Sequence, residues 1–78
     1  MGHRSSLLPP AANLHPVLQE IFNEAQARNI PDQLLADLTG HSLNAIYTWR
    51  RGKRAPKFQA VVDLATTFGY DVVLRRRT

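Results

Sequence analysis

Apolar positions along the chain fall into four clusters set apart by proline, glycine and small polar residues. In the first, Val17, Leu18, Ile21, Phe22 and Ala25 recur at i, i+1, i+4, i+5 and i+8, with Glu20 and Glu24 on the opposite side. This rhythm predicts an amphipathic helix over residues 16–28, opened by Pro16, whose missing N–H costs nothing in a first turn. "NIP" ends it, and Pro31 with Asp32 starts a second helix, "DQLLADLTG", whose apolar side is expected from Leu34, Leu35 and Leu38. Gly40 stops that helix after two turns. Ser42 is placed to cap a third over residues 43–51, and Gly52 to close it in a left-handed turn. Pro56 opens a fourth, in which Phe58, Val61, Val62, Leu64, Ala65 and Phe68 form a broad apolar face ending at Gly69. Then the period changes. In "YDVVLRRR", Tyr70, Val72 and Leu74 alternate against Asp71 and Val73, a strand signal with no second strand to pair with. The expected fold is mainly α, four to five short helices plus a C-terminal β-strand. Residues 1–13 carry no period and read as a flexible leader, residues 14–69 as one helical domain, and 70–78 as strand and basic tail.

The second and third helices are joined by so short a turn that four positions govern how they meet. Ala36 lets the third helix approach closely, Gly40 permits positive φ in the turn, and Ile46 and Trp49, three apart, plug into the core. Two helices crossing steeply over such a turn make a helix-turn-helix. With Ile46 and Trp49 inward, Leu43, Asn44, Tyr47 and Thr48 face outward.

Across about Val17 to Asp71, and best in "LLADLTGHSLNAIYTWRRG" and the "P…LA…FG" of the fourth helix, the sequence resembles the phage-repressor helix-turn-helix family of lambda repressor and Cro. The resemblance implies that the third helix enters the major groove of double-stranded DNA while the turn after it and the start of the fourth helix hold phosphates. Base contacts are then expected from Leu43 on a thymine methyl, Asn44 on adenine, Thr48 on either kind of base edge, and Tyr47, which also stands within reach of a phosphate. Backbone contacts are expected from Gln33, Ser42, Arg51, Lys53, Arg54 and Lys57. The pattern departs from the family at two places. Where the second helix often begins Thr-Gln, this chain has Pro31-Asp32, with Gln33 one step later. Where an acid often pairs with a base in the first helix, it has Arg50, for which Glu24 is the expected partner.

Charge sharpens this picture. The net charge is +4, but residues 1–47 hold two arginines against four acids, a net of −2, while residues 48–78 hold eight cations against two acids, a net of +6. One cationic face points to a polyanion. Against this stand plainer readings: a solvated surface, or "RRGKR" as a lookalike of a nuclear-localisation signal. The 78 residues contain no cysteine, and His3, His15 and His41 have no ligand spacing, so no metal or cofactor is expected. Ser5, Ser6 and Ser42 have no plausible triad, and no GKS or GKT appears, so no enzyme is expected. "MGHRSS" matches an N-myristoylation pattern at Gly2, a short pattern that arises often by chance. With no long apolar run, a soluble cytoplasmic, nucleoid-associated protein is expected, with no membrane partner. The reading is a sequence-specific DNA-binding protein and transcriptional regulator of repressor type, homodimeric through strand 70–74. The alternative is a protein-interaction module, such as the antitoxin-like component of a two-protein system, with DNA binding secondary.

Overall fold

A computed structural model describes residues 9–77, and contains four helices: α1 (Pro16–Ala27), α2 (Asp32–Thr39), α3 (Leu43–Arg50) and α4 (Phe58–Thr67). The first eight residues of the expected leader, with the acylation pattern at Gly2, lie outside the described residues. From Ala11 on, that leader has fixed contacts. Its Ala11 N–H donates to the Arg50 carbonyl at 2.9 Å, and Gln19 Nε2 reaches back to the Ala11 carbonyl at 2.6 Å, tying the segment to α3 and α1.

The helix starts follow local chemistry. Ser42 caps α3 by accepting from the Ala45 N–H at 3.0 Å. His15 does the same for α1 through its ring Nδ1, 3.1 Å from the Val17 N–H, a cap the sequence did not advertise because histidine is rare in that role. The ends share one device. At the close of α1, α3 and α4, the residues Asn29, Gly52 and Gly69 take positive φ, and two backbone bonds fold the chain back on the last turn. The pairs are Asn29–Gln26 with Ile30–Ala25, Gly52–Trp49 with Lys53–Thr48, and Gly69–Thr66 with Tyr70–Ala65, at 2.9–3.1 Å. This is the Schellman arrangement, in which the residue after the left-handed one packs an apolar side chain on the helix it leaves. Ile30 and Tyr70 do so against the core.

That core is Leu18, Ile21, Phe22 and Ala25 of α1, Leu35 and Ala36 of α2, Ile46 and Trp49 of α3, and Ala60, Leu64, Ala65 and Phe68 of α4 with its cap. All four positions expected to govern the α2–α3 pair behave accordingly: Ala36, Ile46 and Trp49 are buried, and Gly40 turns the chain at φ 80°. The apolar faces are narrower than predicted. Val17, Leu34, Leu38 and Phe58 are exposed, Phe58 by 71%, and Val61 and Val62 only half-buried, because four short helices enclose little volume and the small Ala36 and Ala60 face it instead.

The tail differs too. No strand forms among the described residues. Tyr70, expected to open one, completes the α4 cap instead, and its hydroxyl donates to Glu20 at 3.3 Å. Burial first, and then the negative charges of Glu20 and Glu24, push its phenol pKa up. Beyond it, Val73 and Leu74 stand in solvent. A lone segment has no edge to pair with, so its alternating pattern has nothing to act on within one chain.

Arg50 is the other correction. It pairs with Asp32, at 3.0 Å from Nε to Oδ1 with a second, shorter bond from Nη2, and Glu24 is taken instead by Arg28 one turn away. The guanidinium lies 5.1 Å from the Phe22 ring and Arg50 is 1% exposed. Replacing Asp32 by alanine takes the carboxylate from this buried cation, and a loss of about 3–5 kcal/mol in urea unfolding is expected. In double-mutant cycles Arg50 should couple strongly to Asp32 and be additive with Glu24.

Candidate nucleic-acid interface

The outer side of α3 borders an open groove of about 630 Å³, lined among others by Ser42, Asn44 and Thr48 and by Lys53, Arg54 and Lys57. The Schellman turn at Gly52 reverses the chain there, so the loop after α3 runs beside the helix instead of away from it. A side chain at Gly52 is disfavoured twice: φ is 73°, and a Cβ would lie 2.6 Å from Asn13 Oδ1, so that the Asn13 side chain would have to move.

Six of the ten residues expected to touch a ligand therefore meet around one groove: Ser42, Asn44, Thr48, Lys53, Arg54 and Lys57. No carboxylate lines it among the described residues, and none of its lysines or its arginine is in an ion pair there. Its lining combines three cations with hydrogen-bonding side chains. Ser42 keeps its hydroxyl proton for an outside acceptor, since its oxygen accepts from the Ala45 N–H. Thr48 is more constrained: its hydroxyl donates to the Ala45 carbonyl at 3.0 Å, leaving its lone pairs and methyl for a ligand.

Leu43 and Tyr47 form a second, exposed strip one turn apart on the neighbouring edge of α3. Arg51 joins it, with its guanidinium 5.6 Å from the Tyr47 ring centre and Nη1 3.2 Å from the hydroxyl. Gln33 stands apart at the start of α2, exposed and bonded to Asp37 at 3.2 Å. Asp32 beside it is the acid held by Arg50, so the negative charge at the head of α2 is balanced within the fold.

One contact at this site was not legible in the sequence. His41, in the α2–α3 turn, places Nε2 3.0 Å from Asp63 Oδ2 on α4 and sets its ring edge-on to Trp49 at 5.2 Å. The two lie 22 residues apart, a separation that no local spacing rule covers. The pair, with Gln59 bonded to Asp63 at 3.1 Å, fixes the turn to α4 and so the floor of the groove to its far end.

No protein-family model, no curated protein and no solved structure matches the chain.

The hydrogen bond from Gln59 and, next, that with His41 hold the Asp63 carboxyl below its ordinary pKa, against the raising effect of burial. A carboxyl with a depressed folded-state pKa stabilises the fold above its unfolded-state value, and the contribution is lost as pH falls through the folded value. Carboxyl-carbon NMR titration should therefore place the Asp63 midpoint below that of an unstructured aspartate. Gln59→Ala and His41→Ala should each move it back up. An unmoved midpoint in both variants would mean that neither contact forms.

Proposed function

We propose that the chain is a sequence-specific double-stranded DNA-binding protein with a helix-turn-helix of the phage-repressor type, acting as a transcriptional regulator of repressor type. The observation that carries this reading is the single groove that sets Asn44 and Thr48 of α3 against the cations Lys53, Arg54 and Lys57. A duplex needs both kinds of contact at once: phosphates supply affinity through counterion release, and base edges supply discrimination. In this reading α3 lies in the major groove, Leu43, Asn44, Tyr47 and Thr48 address bases, and Ser42 with the cationic loop follows the backbone. Arg51, braced on Tyr47, adds a phosphate contact at the end of α3, and Gln33 another from the head of α2.

Asn44→Ala is expected to weaken a preferred duplex by roughly 1–3 kcal/mol with little change on a scrambled one. Arg54→Ala or Lys57→Ala should weaken both alike and lower the log–log salt slope by about one per lost phosphate contact. Anisotropy titrations at several salt concentrations separate the two effects; equal losses from Asn44→Ala and Arg54→Ala on both duplexes would remove α3 as the reading helix.

The tail belongs to the same proposal. An exposed extended segment ending in Val72, Val73 and Leu74 gains backbone partners by pairing with its copy across a two-fold axis, which makes residues 70–74 a strand only in the homodimer. Such pairing sets two α3 helices about 34 Å apart, one turn of duplex. Deleting residues 71–78, which spares the Tyr70 cap, should convert a dimer to a monomer in sedimentation at micromolar concentration. A full-length chain that already sediments as a monomer would exclude it.

A second reading draws on a different observation. Pro16, Val17, Ile21, Ala65, Tyr70, Val72 and Val73 line a mostly apolar cleft of about 420 Å³ between α1 and the tail. It suits a protein-interaction module, antitoxin-like, with DNA binding secondary; copurification of a second protein in stoichiometric amount, without any selected duplex, would favour it.

A further inference from the structure

The chemistry left available on α3 is selective in a way that the presence of a cationic groove alone does not imply. Of the outward residues, Asn44 is exposed and makes no hydrogen bond to another described residue, so its amide offers a donor and an acceptor side by side. Thr48 has already donated its proton to Ala45. Leu43 and Tyr47 expose 46% and 41% of their surface as an apolar strip one turn long. α3 itself contributes no outward cation, since the one basic residue within it, Arg50, is buried. Arg50 is buried against Asp32 and Phe22, Arg51 is drawn over Tyr47, and Lys53, Arg54 and Lys57 come after the helix has ended.

Guanine shows two acceptors and no donor in the major groove, and is matched best by arginine or lysine. Against it, Asn44 would use only its N–H groups and leave its carbonyl unpaired. Adenine shows N7 as acceptor and N6 as donor, the complement of one amide, and its partner thymine adds a C5-methyl group that an aliphatic side chain can cover. The polar strip and the apolar strip of α3 thus match the two members of a single kind of base pair.

We propose that α3 selects A·T pairs at the centre of its site, with Asn44 on adenine and Leu43, flanked by the Tyr47 ring, on a thymine methyl. This rests on the DNA-binding reading and narrows it to a substrate class. The phosphate-holding loop takes no part in the choice.

Binding-site selection by the full-length chain from random duplexes tests the composition directly. Adjacent A·T pairs are expected at the core of the recovered sites. Enriched sites with a G·C core would overturn this inference and leave DNA binding standing, whereas no enrichment of any sequence would remove both. The methyl contact is tested separately by replacing thymine with deoxyuridine, position by position, in the selected site. Burying one methyl corresponds to about a fourfold change in affinity, so a loss of that size is expected at one position or more for the unaltered protein. Arg54→Ala should keep that penalty while binding more weakly. Leu43→Ala should abolish it, with an unchanged melting temperature because the side chain is exposed. A uracil penalty of the same size in Leu43→Ala, or none in the unaltered protein, would overturn the assignment.

Discussion

The arrangement of this domain depends on a charge placed where a core of this size has least room for one. Arg50 ends α3 inside the protein, and burying a guanidinium is unfavourable unless its charge and its N–H groups are met. Asp32 meets them from the first residue of α2, where the helix dipole also favours an acid, and the Phe22 ring of α1 covers the planar group. The same residue's carbonyl receives Ala11. One side chain and its backbone thus fix α3 against α1, α2 and the segment before α1, and the outward edge of α3 follows from that orientation.

Asp32, which stands near the place where the family often begins its second helix Thr-Gln, therefore presents no unbalanced charge at the head of α2. Its charge is spent internally. Three cations without an ion pair, Lys53, Arg54 and Lys57, follow Gly52 and line the groove beside α3. Part of the charge asymmetry along the sequence is thereby brought to one groove, by a turn that a left-handed glycine permits.

Much of this was legible before any coordinates. Ser42, Gly40, Gly52 and Gly69 mark helix limits because capping and positive φ are local requirements, and the three-residue spacing of Ile46 and Trp49 fixes which side of α3 turns inward. What stayed hidden is what depends on neighbours. Leu34 and Leu38 share the apolar character of Leu35, and only the position of α3 decides that Leu35 and Ala36 face it. Glu24 was the expected partner of Arg50, but Arg28, four residues from Glu24, claims it, and Arg50 takes Asp32 instead. His41 and Asp63 carry no periodic signal at all. The tail's alternation was a true property of the sequence, but a strand is a relation between two segments, and one chain supplies only one.

The repeated helix ending has a kinetic consequence. In α1, α3 and α4 the bonds that stop the helix and aim the next segment all close within five residues, so each corner forms without waiting for distant parts of the chain. Connections are short and the search is mostly local, the regime in which small helical domains fold in microseconds to milliseconds. The encounters left are the non-local ones, Arg50 with Asp32, His41 with Asp63, Ala11 with Arg50 and Tyr70 with Glu20, and these join corners that local bonds can make. The groove needs both kinds, because the turn at its floor is tied to α4 by His41 and Asp63, so helix formation alone does not complete it.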